Sequence, residues 1–527
     1  MDDIYDISGI KRGLNGIMQM IPSSSMPKLH TVLGDAIKRM DEPMQLAIIG
    51  KISSSKSTLV NAILGKNEIM VTGQKEVTYN VGWLKYGKPD SDIIIHHKDN
   101  TPVTIKSQKE FSLWSTENHG REIDNISFIE VFNDAEILKE INIIDTPGLD
   151  ALRGKDSQNT LDFIQKVHPD AVIMLFTHSV SENVLDIVRQ YNVGSSFNPL
   201  NAIGVLSKID VLWQETLERD KTALQIGERM TKNKLKKDPR LQKTLFNIFP
   251  ISALQFLASS TLEEPVLDNI KKLLELESGV FKRAINNIVL NRALSSVNNF
   301  LKPQMFLNVG VEERTQMINS VGLYGVYLII EELKKNPRAD LISIRQLLWK
   351  ESGAKNFMKV LHNHFGMRSK LIKMESIYQN IQQAIKVTRG NLADSTSSQL
   401  LSKVEQRISD LFSSLVHEHK EYELLYQLYN GEKLIDEISK QEFFSLCGEH
   451  GSSALERLGL TSISTTQDLI EKALERERYW RKQVALEPDP DEKAWMTIIL
   501  VSYSRLRQKL QTMKYQYEQA KAFLFNE

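Results

Sequence analysis

The chain has 527 residues, with 66 Lys and Arg against 66 Asp and Glu, and so carries no formal net charge. That balance excludes a global field that would draw in nucleic acid or an anionic membrane, and leaves such contacts to local patches. A single cysteine, Cys447, excludes an internal disulfide and a cysteine-built zinc site, and fits a reducing compartment.

Met1 to Asp6 are acidic and lack the apolar stretch of a signal peptide, and no apolar run approaches the ~18 residues of a spanning helix. A cytoplasmic protein is expected, with any membrane contact peripheral. Residues 10–40 read as helix from the spacing of Leu29, Val32, Leu33, Ala36 and Ile37, and Pro43 ends the segment. From Gln45 to about Ser252, short β-branched runs at 93–95, 128–131, 141–144, 171–176, 202–206 and 246–251 alternate with helical stretches. Alternation of this kind predicts an α/β domain, doubly wound, with a mostly parallel sheet.

The first run of this domain leads into Gly50-Lys51-Ile52-Ser53-Ser54-Ser55-Lys56-Ser57-Thr58. Gly50, four spacers and Ser55-Lys56-Ser57 nearly match the phosphate loop G-x-x-x-x-G-K-[ST]. Backbone N–H groups of such a loop, with the positive end of the next helix, wrap a β-phosphate. Lys56 would bridge the β- and γ-phosphates, and the Ser57 hydroxyl would fill one Mg²⁺ position. Ser55 stands where the motif has glycine, and its Cβ crowds the approach to phosphate. Taken by itself, the stretch reads equally as an ordinary Ser-rich turn.

Three more strand ends follow. Asp145-Thr146-Pro147-Gly148 offers a carboxylate for the Mg²⁺ shell and, at Gly148, an N–H that can approach a γ-phosphate. In Ser207-Lys208-Ile209-Asp210, a carboxylate at Asp210 can accept from the N1–H and N2–H₂ edge of guanine, a donor pair that adenine lacks. The Lys208 stem would lie along the base, and Ser207 would add a short hydroxyl contact. Ser252-Ala253 stands where a loop N–H could meet the guanine O6. Each of the three also reads as a plain turn or helix cap. Their order, after a phosphate loop, is that of guanine-nucleotide-binding GTPases.

After about Leu262 the strands give way to helix-periodic stretches rich in Leu, Lys, Glu and Gln, broken near Pro303, Pro337, Gly390, Gly431, Gly448 to Gly451 and Pro488 to Pro490. An elongated all-α bundle is expected there. The expected domains are 1–43, helical and joining the bundle, 44–280, a P-loop GTPase head, and 281–527, a helical neck and trunk.

The long spacing from Gly50 to Asp145 requires extra strands between the first helix and the Mg²⁺ strand. Here the chain resembles dynamin-like GTPases, in particular the bacterial branch. The resemblance rests on Ser53 within the loop, on 56–65, on Val77-Thr78 before a strand ending Lys85-Tyr86-Gly87, and on 160–173. In the helical half it is looser, at Gly325-Val326-Tyr327-Leu328, Ser352-Gly353, Phe365-Gly366-Met367-Arg368 and Arg478-Tyr479-Trp480-Arg481.

The resemblance implies GTP or GDP with Mg²⁺ as ligands, and a monovalent cation beside Ser53. It implies that Thr78 contacts Mg²⁺ and orients the attacking water. It further implies head-to-head pairing of GTPase domains, stalk assembly, and tethering or remodelling of a membrane from its cytoplasmic face, and it leaves room for a second dynamin-like protein as partner. A GTP-gated assembly with little hydrolysis is the alternative that Ser55 raises. Neutral charge and the lack of a basic aromatic surface argue against a nucleic-acid partner. The basic run Lys232, Lys234, Lys236, Lys237 and Arg240 reads as the solvated end of a helix. The apolar runs at 323–330 and 495–501 read as core helix, Phe443-Phe444 as core or as an exposed tip, and Cys447 as a small buried hydrophobe.

Overall fold

The computed structural model describes residues 7–21, 23–51, 54–67, 69–70, 80–89, 91–98, 101–111, 114, 125–147, 169–177, 201–215, 221–242, 244–274, 293–303, 306, 308–366, 368–392, 395–451, 453–460 and 465–525. The chain divides into two compact units, Met1–Glu42 with His362–Glu527, and Pro43–Leu361.

In the second unit the described strands are β1 Met44–Gly50, β2 Val81–Tyr86, β3 Ile93–His97, β4 Thr104–Lys106, β5 Ile126–Asn133, β6 Ile141–Asp145, β7 Ala171–Phe176, β8 Ala202–Ser207 and β9 Ile248–Ile251. They form one sheet in the order β4-β3-β5-β2-β6-β1-β7-β8-β9. Every residue of β1, β6, β7, β8 and β9 is buried. Continuous apolar runs are what a parallel sheet covered on both faces requires, and these five strands are mutually parallel. β2 turns antiparallel against β6, and β3 is antiparallel to both β5 and β4. On β3 burial alternates, as on a strand covered on one side. Four strands, β2 to β5, occupy the long interval between the first helix and β6.

The core of this unit runs well past residue 280. Leu323, Tyr324, Val326, Ile329 and Leu333 of the helix Val311–Lys335, with Ile344 and Leu348 of Leu341–Glu351, share one core with Ala47, Ile49, Ile226 and Ile270. A helix apolar around most of its circumference must be covered on more than one side. The junction expected at 280/281 lies outside the described residues, and the division falls at Leu361/His362.

In the first unit the expected helix over 10–40 is two helices, Ile7–Met20 and Pro27–Arg39. Pro27 begins the second, where its missing N–H costs nothing. Ile10, Leu14, Leu29 and Leu33 pack with Met374, Ile377 and Ile381 of Ser369–Asn391 and Val404 and Ile408 of Ser395–Phe412. Lys373 Nζ donates to the carbonyl oxygens of Met40, at 2.9 Å, and of Glu42, which ties down the end of the N-terminal segment. Thr466–Leu486 and Pro490–Phe525 pack through Trp480 and Trp495, rings 5.7 Å apart. Phe443 and Phe444 are buried, so they form no exposed tip, and Trp495 and Ile499 are core residues. Burial pushes the Cys447 thiol up, away from reactivity. No described helix is long and apolar enough to cross a membrane.

Candidate nucleotide site

The C-terminal ends of the parallel strands lie along one edge of the sheet, where α/β folds take their ligands. Gly50 ends β1. A Cβ there would come 2.7 Å from the carbonyl oxygen of Leu175 and 2.8 Å from Ser54 Oγ, so the loop leaves the sheet with no room for a side chain. Ser55, immediately before the helix Lys56–Leu64, has φ 69° and ψ 30°, and its side chain makes no capping bond. This is left-handed backbone, in which the motif's glycine is at home and serine is strained.

Lys56 is buried, and its Nζ donates to the carbonyl oxygens of Gly50, at 3.0 Å, and Lys51, at 2.9 Å. Ser57 Oγ donates to Asp145 Oδ2 at 2.8 Å, and Thr58 is half-buried. Asp145 ends β6 opposite Ile48 of β1 and is fully buried. Its Oδ1 and Ser54 Oγ are buried without a hydrogen-bond partner. Burial pushes the Asp145 carboxyl up to about 6, against the pull of Lys56 and of the Ser57 bond. Thr146, whose role sequence reasoning missed, donates from Oγ1 to the carbonyl oxygen of Ile48 at 2.8 Å and so pins the chain just after Asp145. A hydroxyl residue directly after the strand-ending carboxylate was the available signal.

The other half of the site lies across β7. Ser207 ends β8, and its Oγ donates to the carbonyl oxygen of Phe176 at 3.3 Å. Lys208, at φ 57°, is with Ser55 one of two non-glycine residues of positive φ among the described residues. Strain of this kind gathers at functional turns. Asp210 lies in the helix Ile209–Glu215; burial pushes its carboxyl up, and the nearby Ser252 hydroxyl draws it back. Ser252 follows β9, caps the helix Ala253–Thr261, and donates its backbone N–H to the carbonyl oxygen of Ser352 at 2.9 Å. Ala253 is the first residue of that helix and is buried. β1 and β8 are two steps apart in the sheet, ~10 Å, which suits one group that reads phosphate and another that reads a base.

The structure thus brings Gly50, Ser54, Ser55, Lys56, Ser57 and Asp145 together, and aligns Ser207, Lys208, Asp210, Ser252 and Ala253 on the same edge. Ile52, Ser53, Thr78 and Gly148 lie outside the described residues. Among the described residues no three His, Cys, Asp or Glu gather as a metal cluster. A cation here would depend on a hydroxyl, a carboxylate and oxygens brought by the ligand.

Residues 46–209 match the family model described as the Dynamin family. The chain is 26% identical over 459 residues to Isoniazid-induced protein IniC of Mycobacterium tuberculosis, covering 85% of this chain and 86% of the relative. It is 25% identical over 312 residues to Dynamin-like protein 2 of Campylobacter jejuni, covering 55% of this chain and 49% of that relative. A solved structure of an oligomerised bacterial dynamin pair aligns over 100% of this chain and 94% of that one, at 14% identity and a TM-score of 0.35. The family match opens within β1 and closes at Ile209, so it spans the phosphate loop, Asp145 and the end of β8. Over residues 46–209 the head thus matches the Dynamin family, and the chain is similar to bacterial proteins that include a dynamin-like one.

Proposed function

We propose that the head binds GTP and GDP with Mg²⁺ and hydrolyses GTP. The observation that carries this reading is the Ser57–Asp145 pair beside buried Lys56, with the second carboxylate oxygen of Asp145 unpartnered. A hydroxyl and a carboxylate are hard oxygen donors, the set that suits Mg²⁺ completed by water and phosphate. When bound, the ion would neutralise charge on the β- and γ-phosphates. Ser57 and Asp145 would hold it, Asp145 through its hydration shell, and the buried carboxylate would gain a second positive partner beside Lys56. Lys56 exchanges its carbonyl partners for phosphate oxygens. Loop N–H groups from Ser54 to Thr58 wrap the phosphates, and Asp210 accepts from guanine beside Ser207, Lys208, Ser252 and Ala253. Ser53, Thr78 and Gly148 take the roles that the family resemblance implies, including the monovalent cation beside Ser53 and the attacking water at Thr78.

The helical unit serves as a neck and trunk, and nucleotide-dependent pairing of heads drives self-assembly, alone or with a second dynamin-like protein. The assembly tethers or remodels a membrane from its cytoplasmic face, without nucleic acid. A specific observation favours a second reading, GTP-gated assembly with slow turnover: Ser55 keeps a Cβ in the left-handed turn under the phosphates. Steady-state GTP hydrolysis against protein concentration, with and without liposomes and beside a Lys56→Ala control, separates the two. The first reading expects specific activity that rises with concentration and protein that co-sediments with liposomes. Slow, concentration-independent turnover with GTP-dependent oligomers favours the second.

A further inference from the structure

The groups that would read the base are gripped from a side that nucleotide binding does not use. Gln255 is fully buried in the first turn of the helix Ala253–Thr261. Its Oε1 accepts from the Ser252 hydroxyl, and its Nε2 donates to the carbonyl oxygen of Val321 at 2.6 Å. That carbonyl is available because the next residue, Gly322, has φ 66° and ψ 171°, which kinks the helix Val311–Lys335 and interrupts its hydrogen-bond ladder. A Cβ on Gly322 would stand 3.4 Å from Gln255 Nε2, and one on Gly325 3.3 Å from it, so two glycines make room for this amide. The residues just after the kink hold the helix that carries Asp210. The Trp213 ring lies 4.9 Å from that of Tyr324 and 4.6 Å from that of Tyr327. Tyr324 OH also accepts from the Ala223 N–H at 3.0 Å. Val321 to Tyr327 therefore touch both carriers of the base-reading groups, the helix of Asp210 and the turn of Ser252.

We infer that Gln255, seated on the Gly322 kink, is a positioning residue for guanine selection, which fixes where the Ser252 hydroxyl stands beside the Asp210 carboxylate. The inference rests on the reading of Asp210 as the base acceptor. The Gln255 side chain bonds to Ser252 and Val321, not to Lys56, Ser57 or Asp145, so its loss is expected to act on the base half. Without the amide, Ser252 and Asp210 are no longer held in one geometry, and the two donors of guanine meet a misaligned carboxylate. ATP makes no use of that carboxylate and reports on the phosphate half.

The test measures GTP and ATP affinity by competition on the full chain for wild type, Gln255→Leu and Gln255→Glu. The expected result for Gln255→Leu is a GTP-to-ATP affinity ratio lowered about tenfold, the scale of one compromised hydrogen bond to a charged group, with ATP affinity unchanged. A ratio equal to the wild-type value in a folded variant overturns the inference. A parallel fall in both affinities overturns it too, because it marks Gln255 as merely structural. Should Gln255→Leu fail to fold, Gln255→Glu, which keeps the shape but loses the donor to Val321, decides by the same ratio. A wild-type protein that does not prefer GTP overturns the nucleotide reading underneath, a result distinct from either of these.

Discussion

Replacing Ser55 by glycine tests whether the phosphate loop is strained as built. An L-residue in left-handed backbone costs about 1–2 kcal/mol. Ser55 recovers none of this through a cap, since its side chain accepts no bond from the helix that follows. Glycine removes the strain but loses more freedom on folding, about 0.5–1 kcal/mol. The balance is a gain of about 0.5–1 kcal/mol in the nucleotide-free head. Ser55→Ala keeps a Cβ at the same φ and is expected to give no gain, so the pair of variants isolates backbone conformation from side-chain chemistry. Hydrogen exchange of peptides from β1 and Lys56–Leu64 under increasing urea reads the stability of this region without interference from the helical unit. Ser55→Gly is also expected to bind GTP more tightly, because the backbone can approach the phosphate more closely. A Ser55→Gly protein no more stable than wild type, or an Ser55→Ala protein as stable as Ser55→Gly, would refute the reasoning.

Asp145→Asn is expected to stabilise the nucleotide-free protein at pH 8 and to weaken Mg²⁺-dependent nucleotide binding. Burial holds the folded carboxyl up at about 6, above its ordinary value of 3.8. A raised pKa means that the buried carboxylate costs stability above about pH 6, and that this cost fades as pH falls from 6 towards 3.8. At ~1.4 kcal/mol per pH unit the gain is at most about 3 kcal/mol, and Lys56, left without its counter-charge, reduces it. Urea midpoints from pH 5 to 8 check this, and a gain that does not shrink with falling pH contradicts it. Asp210→Asn is expected to weaken GTP binding by about 100-fold and to improve XTP binding, because a carboxamide can donate to the 2-oxo group of xanthine. Competition assays with the two nucleotides check this; unchanged GTP affinity would remove Asp210 from the site.

Much of the site was legible because strand ends are marked in sequence. Asp145 and Asp210 each follow a fully buried run, and a charged residue at such a point has few structural uses. The loop at Gly50 was legible from its spacing, but the left-handed turn at Ser55 was not, since serine gives no sign of positive φ. The helices were harder to bound. The single helix read over 10–40 breaks before Pro27, and the segment 311–361 read as neck because its periodicity is helical. Periodicity reports that a helix has an apolar face, not which core covers it, and the face of Leu323, Val326 and Ile330 meets the sheet's core. Gln255 gave no signal. A glutamine in a first helical turn is ordinary until a carbonyl freed 66 residues along the chain, by a glycine kink at position 322, stands opposite its amide.

The central claim is a pocket that holds a guanine nucleotide by its phosphates and selects the base. Titration calorimetry of the purified protein with GTP, GDP and ATP in Mg²⁺, beside Lys56→Ala, tests it most directly. The account predicts heat with GTP and GDP, ATP weaker by at least about 100-fold, and loss of all binding in Lys56→Ala, whose buried ammonium no longer meets the phosphates. ATP bound as tightly as GTP, or no uptake of either guanine nucleotide at millimolar concentration, would contradict it.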